Sequence, residues 1–311
     1  MKKTILMALA VGLVMTACEK PIASGDSGAG GNDGGNVRLT FIPTTADLTH
    51  GATRSGSVVA AVPEASASGQ TRGTVAIGDY FSRLAIQLFN ADGNKVWDKV
   101  KTQSRDDADY GTLSCSLQEG TYTVVAVGHS SPVTPSIKST ELVQFTAQSG
   151  VKNSDTFCYC GAVTIDASHT SHELRMNRVT AMLRFQFTDD PMPDQLAAIK
   201  CDYSGGSANF NPTTGEGCTR SSQSELRGVG SYCFFTFPYL AESCVLKVTL
   251  QALDANENIL TTKTFTDVPV SRNRITTYRG TLFTDEPGEF YQSAFGITID
   301  PDWAGEDTYE F

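Results

Sequence analysis

Past residue 17 the chain has no apolar run approaching the roughly 20 residues that a membrane-spanning helix needs. It is poor in basic residues, 24 against 34 acidic ones, for a formal net charge of −10 over 311 residues. A surface of that sign repels phosphate backbones, which excludes nucleic acid as a partner. Histidine is scarce: His50, His129, His169 and His172 are all there are, and none stands in ligand spacing to a second CxxC-type cysteine pair. No metal and no cofactor is expected. The local frames of catalysis are missing too: there is no Gly-x-Ser-x-Gly elbow, no His-Glu-x-x-His, no phosphate loop ending in Gly-Lys-Ser/Thr and no GxGxxG. Asp189-Asp190 reads as a polar strand end before Pro191. Asp106-Asp107-Ala108-Asp109 reads as a polar turn, because it lacks the glycine and the bidentate glutamate of a calcium loop. The chain is not expected to be an enzyme. Long helical periodicity is nearly absent, while threonine, valine and serine abound, which favours an all-β chain.

The N-terminus carries the strongest motif. Lys2 and Lys3 precede an apolar run, Ile5 to Val14, broken only by Gly12, and then comes Met15-Thr16-Ala17-Cys18. A basic start, an apolar core of about ten residues and small residues before the cut make a secretory signal over residues 1–17. Cys18 sits where bacterial lipoproteins carry their diacylglycerol, and buried acyl CH₂ groups at about 0.8 kcal/mol each make that a firm anchor. The alternative is an ordinary signal peptide cut nearby, with Cys18 free. Loss of Lys2 and Lys3 leaves 22 basic against 34 acidic residues, a net charge of −12. Ser24 to Gly35, SGDSGAGGNDGG, has nothing to bury and reads as a flexible tether spanning residues 18–36, with a coil reach of roughly 23 Å.

Seven cysteines follow Cys18, an odd count. Cys115, Cys201 and Cys244 alternate with apolar neighbours and read as small hydrophobes on inner strand faces, while Cys158 and Cys160 share one face of a strand. Buried thiols, or one or two disulfides, fit better than a metal site. Trp97, Trp303, Tyr278 and Tyr291 are the aromatics that would stack on sugar rings if the surface bound glycan.

Strands recur at roughly 10-residue spacing, with turn signals between them. Val37, Leu39 and Phe41 alternate with polar residues and stop at Pro43; a long Ala/Ser/Gly-rich loop, 44–78, follows. Leu84–Phe89 turns through Asn90–Asn94, where Gly93 supplies positive φ, into Lys95–Val100 as the second arm of a hairpin. Gly120-Thr121-Tyr122 opens a strand in the manner of a sandwich corner, its tyrosine hydroxyl bonded to nearby backbone. A second unit starts near His172. Val179 to Phe187 reads as one long strand, Tyr232 to Phe237 as a central strand, and Phe295-Gly296-Ile297-Thr298-Ile299 alternates in a tail that ends in an acidic stretch. The expectation is an N-terminal β-sandwich over 37–170 and a C-terminal β-sandwich with its tail over 171–311.

Lipobox, tether, two β-sandwiches and no catalytic frame together resemble the fimbrial anchor lipoproteins of Bacteroidetes, minor components at the base of the fimbria. The likeness is carried by Leu84 to Val96, by Leu117-Gln118-Glu119-Gly120-Thr121-Tyr122-Thr123-Val124-Val125-Ala126, by Leu174 to Phe187, and by Val270-Ser271-Arg272-Asn273-Arg274-Ile275-Thr276 with Gly280 and Leu282-Phe283. The resemblance implies transthyretin-like sandwiches, a place on the outer membrane through the lipid on Cys18, and other fimbrial subunits as partners. It also implies joining by strand complementation, in which backbone hydrogen bonds give strength and alternate side chains give register. Two segments are candidates for that exchange: Phe295, Ile297 and Ile299, and an edge strand bearing Val37, Leu39 and Phe41. Arg54 and Arg72 are candidate protease sites in the loop after the first strand; an anchor keeps its lipid, so the N-terminal strand is expected to stay intact. The rival expectations are a fimbrial tip adhesin and a surface lipoprotein that binds glycan.

Overall fold

Apolar and polar residues alternate along most of this chain, and Gly, Asn and Asp punctuate the runs, so strand follows strand. A computed structural model describes residues 35–43, 77–145, 153–230, 232–283 and 303–311. The chain divides into two compact units, Met1–Asp33 and Gly34–Phe311, and every described residue lies in the second. Among the described residues the only helical element is a 3-10 turn at Ile77–Asp79.

The first nine strands are β1 (Gly35–Pro43), β2 (Arg83–Phe89), β3 (Lys101–Ser104), β4 (Thr112–Leu117), β5 (Gly120–His129), β6 (Ser136–Ser139), β7 (Leu142–Gln144), β8 (Thr156–Ile165) and β9 (Ser171–Arg178). Seven of them form one sheet in the order β3-β2-β5-β8-β9-β1-β4. The sheet turns a corner between β8 and β9, which pair only at Phe157↔Arg178 and Cys158↔Asn177. Its halves therefore face each other. Leu84, Ile86 and Leu88 of β2, Val124 of β5 and Phe157 of β8 meet Val37, Leu39 and Phe41 of β1 and Leu174 and Met176 of β9. Each such side chain contributes roughly 1.5–3 kcal/mol by leaving water. At the corner Tyr122 donates its hydroxyl to the Gln118 carbonyl at 3.0 Å, as the Gly-Thr-Tyr entry foretells.

The remaining strands are β10 (Ala181–Phe187), β11 (Ala198–Ser207), β12 (Asn209–Phe210), β13 (Arg220–Gly228), β14 (Cys233–Thr236), β15 (Ser243–Leu253), β16 (Ile259–Ser271), β17 (Ile275–Gly280) and β18 (Glu306–Glu310). They build two four-stranded sheets, β14-β10-β17-β18 and β13-β11-β15-β16. Leu183, Phe185, Phe234 and Tyr278 of the first pack on Ile199, Tyr203, Val248, Leu250 and Phe265 of the second, giving a sandwich with one apolar core. A third core joins the halves of the chain. The outer face of β2, β5 and β8 (Ala85, Val125, Val127, Cys158) is covered by Ile137 and Val143 of the β6–β7 hairpin and by Val179, Phe210 and Phe237. The ladder between β12 and β7 fastens that contact. The protein is all-β and built of packed sheets, as expected.

Several elements differ from the sequence reading. The stretch Lys95–Val100 is not a hairpin arm. It makes one bridge, Phe89↔Lys95, and β2 pairs antiparallel with β3 on one side and β5 on the other. The buried Gln87 side chain reaches out to the Trp97 carbonyl at 2.9 Å and holds the bulged segment. The strand expected from Val179 to Phe187 starts at Ala181, and β9 before it belongs to the seven-stranded sheet. Tyr232 to Phe237 is apolar on both faces, yet β14 is an edge strand. Its two-sided burial has another source: Phe234 faces the sandwich core while Phe237 plugs the third core between the sheets. Asp189-Asp190 ends a strand as read, and the Asp189 carboxylate accepts the backbone N–H groups of Leu282 at 2.6 Å and Phe283 at 2.9 Å. Asp107 closes the polar turn on the Ser104 N–H at 2.6 Å.

Candidate functional site

The two ends of the described fold are both strands attached in parallel. At the N-terminal end Val37, Leu39 and Phe41 all point inward, at most 3% exposed, as period-2 alternation requires. The sequence places them on an edge strand, and this is corrected by the pairing. β1 lies between β9, to which it is parallel, and β4, to which it is antiparallel. Arg38 donates its N–H to the Thr170 carbonyl at 2.8 Å and Phe41 to Gly111 at 2.9 Å. Alternation reports which face of a strand is buried and carries no information about its neighbours in the sheet.

At the C-terminal end β18 adds in parallel to β17, with Ile275 opposite Glu306 and Tyr278 opposite Tyr309. Three acidic residues of β18 meet three arginines. Glu306 accepts from Arg184 and from the Thr277 hydroxyl, Asp307 pairs with Arg274 at 3.0 Å, and Glu310 with Arg279 at 3.8 Å. Two aromatic residues plug the ends. Trp303 is buried, and the Arg178 guanidinium lies 3.8 Å from its ring centre and 4.5 Å from that of Phe157. Phe311 packs edge-on to Phe265 at 4.9 Å, beside Phe185 and Tyr278. Tyr309 stacks on Tyr278 at 5.0 Å. Burial pushes the Tyr278 hydroxyl up to about 12, with Tyr309 and Asp267 adding to the rise, so that side chain stays neutral in the contact. Gly280 makes the approach possible: a Cβ there would lie 1.7 Å from the Phe311 carbonyl oxygen. The sequence reading stops at an acidic end and misses this strand. The spacing carries no signal for it, since Arg274 and Arg279 are five residues apart and Asp307 and Glu310 three, and only Arg279 stands opposite its acid in the register.

A sequence family matches residues 49–311 of this chain. The chain belongs to DUF6562, a family of unknown function. The family's matched span includes β18 and leaves β1 outside it. No curated protein matches the sequence. Among solved structures, a candidate adhesin from Bacteroides ovatus is 14% identical, covers 73% of this chain and 76% of its own, and has a TM-score of 0.45. A fimbrial assembly protein from Parabacteroides distasonis is 11% identical, with 81% and 93% covered and a TM-score of 0.42. The fimbrial anchor protein Mfa2 from Porphyromonas gingivalis is 11% identical, with 73% and 81% covered and a TM-score of 0.37.

The other expected site residues divide sharply in this DUF6562 chain. Cys18, Arg54, Arg72, Phe295, Ile297, Ile299 and Tyr291 lie outside the described residues. The seven described cysteines are all free thiols. Cys201 is fully buried and Cys158 nearly so, and burial pushes both thiols well above their ordinary range, which leaves little thiolate. Trp303 and Tyr278 are 4% and 7% exposed and are spent on internal contacts, so they offer no platform for a sugar ring. Among the described residues no group of three or more His, Cys, Asp or Glu side chains is placed to hold a metal ion.

Proposed function

We propose that this chain is a non-enzymatic, lipid-anchored subunit of a surface fimbria. The lipid on Cys18 holds it at the outer membrane, and β-strand pairing joins it to the neighbouring pilin. The observation that supports this reading most is the seating of β18. No hairpin ties it to β17, it is reached through residues 284–302, and it docks by ion pairs and aromatic plugs that a strand of like sequence from another subunit would find equally well. Its own outer edge has no partner strand among the described residues, and an open edge is a template for pairing with another chain. The segment Phe295, Ile297, Ile299 is the second candidate at this end. β1, parallel to β9 and likewise at a terminus, is the candidate at the other, kept intact because cleavage after Arg54 or Arg72 would part the body from its lipid. In this reading the two sandwiches are the two domains, and the boundary moves from residue 170 to Val179, since β9 pairs with β1 and β8.

The test is isolation of fimbriae from the native cell. This chain, acylated at Cys18, is expected at the cell end of each filament. Deletion of residues 286–311 is expected to release fimbriae into the medium while the lipoprotein stays with the membrane. Even distribution over the surface with no filament attached, or retention of fimbriae by the deletion variant, would refute the anchor role.

A further inference from the structure

β8 and β9 separate after Cys158 and Asn177, and a cleft of about 440 Å³ opens where the sheet turns its corner. The loop after β12 and the turn between β16 and β17 wall it in. Three arginines line it: Arg175, Arg178 and Arg272. No aspartate or glutamate does, in a chain with a net charge of −10. Two of the guanidinium groups are fixed from behind. Arg178 donates to Asp155 at 2.9 Å and to the Asn273 side chain at 3.1 Å; Arg272 donates to Glu242 at 2.6 Å and to the Thr214 carbonyl. Arg175 is exposed and makes no ion pair or side-chain hydrogen bond among the described residues. A planar guanidinium fork matches a carboxylate with two parallel bonds. The volume is in the range of small-ligand sites.

We infer that this cleft binds an acidic sugar, with the Arg175 guanidinium on the carboxylate. The rest of the lining selects the sugar. Asn177, Asn273 and Thr214 offer amide and hydroxyl groups suited to ring hydroxyls, and Tyr159, Val179 and Pro212 offer the apolar surface on which a ring face packs. The cleft borders the β18 segment, through Arg178 on Trp303 and the Asn273 carbonyl that accepts the Ala304 N–H, and Arg175 lies opposite Ile42 of β1. Sugar binding is nonetheless read on the isolated protein, so its failure and the failure of the strand-exchange reading are told apart.

Calorimetric titration of the full-length protein in detergent tests it, with trigalacturonate as the probe. Binding is expected to weaken by about tenfold or more when the carboxylates are methyl-esterified and again in Arg175→Ala, since each change removes a charge-assisted pair. Arg175→Lys is expected to recover part of the loss. Arg175 is exposed, so the variants keep their fold, which unchanged thermal unfolding verifies. Absence of binding, equal binding of the ester, or indifference to Arg175→Ala overturns the assignment. So does displacement by inorganic sulfate or by a tripeptide carboxylate at the concentration that the sugar needs, since either would mean a general anion site or a polypeptide partner.

Discussion

His129 ends β5 at 1% exposure, with Nδ1 lacking a hydrogen-bond partner and its ring edge-on to Phe145 at 5.5 Å. Desolvation lowers its pKa from 6.5 to about 4, and the nearby positive charge of Arg83 acts in the same direction. The unfolded chain therefore binds this proton more tightly than the folded one. Stability from His129 is complete above about 6.5 and drains away as the pH falls to about 4, by on the order of 3 kcal/mol. Urea unfolding of wild type and His129→Gln at pH 7 and pH 4 measures this. The variant is expected to lose markedly less stability on acidification; an unchanged difference would assign the effect to other groups. What sequence revealed at this scale was the side of the strand. Val37, Leu39, Phe41 and Cys201 are buried where alternation put them. The burial of His129 and of the Asp155–Arg178 pair was hidden, because it depends on what packs across the third core and on a tryptophan 125 positions away.

Strand existence was readable wherever apolar residues alternate, as in β2, β5 and β15. Strand position in a sheet was not, as β1 and β14 show from opposite sides: one is internal where an edge was expected, the other an edge where a centre was expected. β13 and β18 escaped notice because both are polar strands at sheet edges, and the fit of β18 comes besides from partners distant in sequence. For β18 this predicts a selective weakness. Gly280→Val sets branched carbon where the Phe311 carbonyl lies, so it is expected to expel residues 303–311 and leave the seven-stranded sheet untouched. Hydrogen exchange follows both. The Ile275 N–H, which donates to the Gly305 carbonyl at 2.8 Å, is expected to exchange at least about tenfold faster, while amides of β2 and β5 keep their protection. Protection retained at Ile275 would mean that β18 does not hold this edge.

The folded unit has a direction. The chain enters at Gly35, opposite Leu117, at the end of the seven-stranded sheet that also carries the Gly120↔Ile165 pair and the Asp166–His169 turn. β1 and β9 run from there to Arg178, the Val179 N–H donates to Thr156 at 2.9 Å, and β10 starts beside Thr236. Ser207 of β11 pairs with Phe237 near this junction, so the other end of β11, Ala198 opposite Leu253, and the Asp254–Asn258 turn lie at the far end. β5 and β11 each run ten residues, roughly 33 Å at about 3.3 Å per residue. If residues 18–36 act as the proposed flexible tether, its coil reach of roughly 23 Å is shorter than one such strand. If Cys18 carries the anchor, entry of the chain at Gly35 is expected to keep Ser168 nearer the lipid than Asn256. Energy transfer to a lipid acceptor, from a fluorescent amino acid encoded at position 168 or at position 256 of the protein in vesicles, reads the order directly. Strong transfer from 168 and weak transfer from 256 is expected, with both rising when residues 24–34 are deleted. Equal transfer from the two positions would mean that the body lies flat on the membrane and that its far end is not the face turned toward a filament.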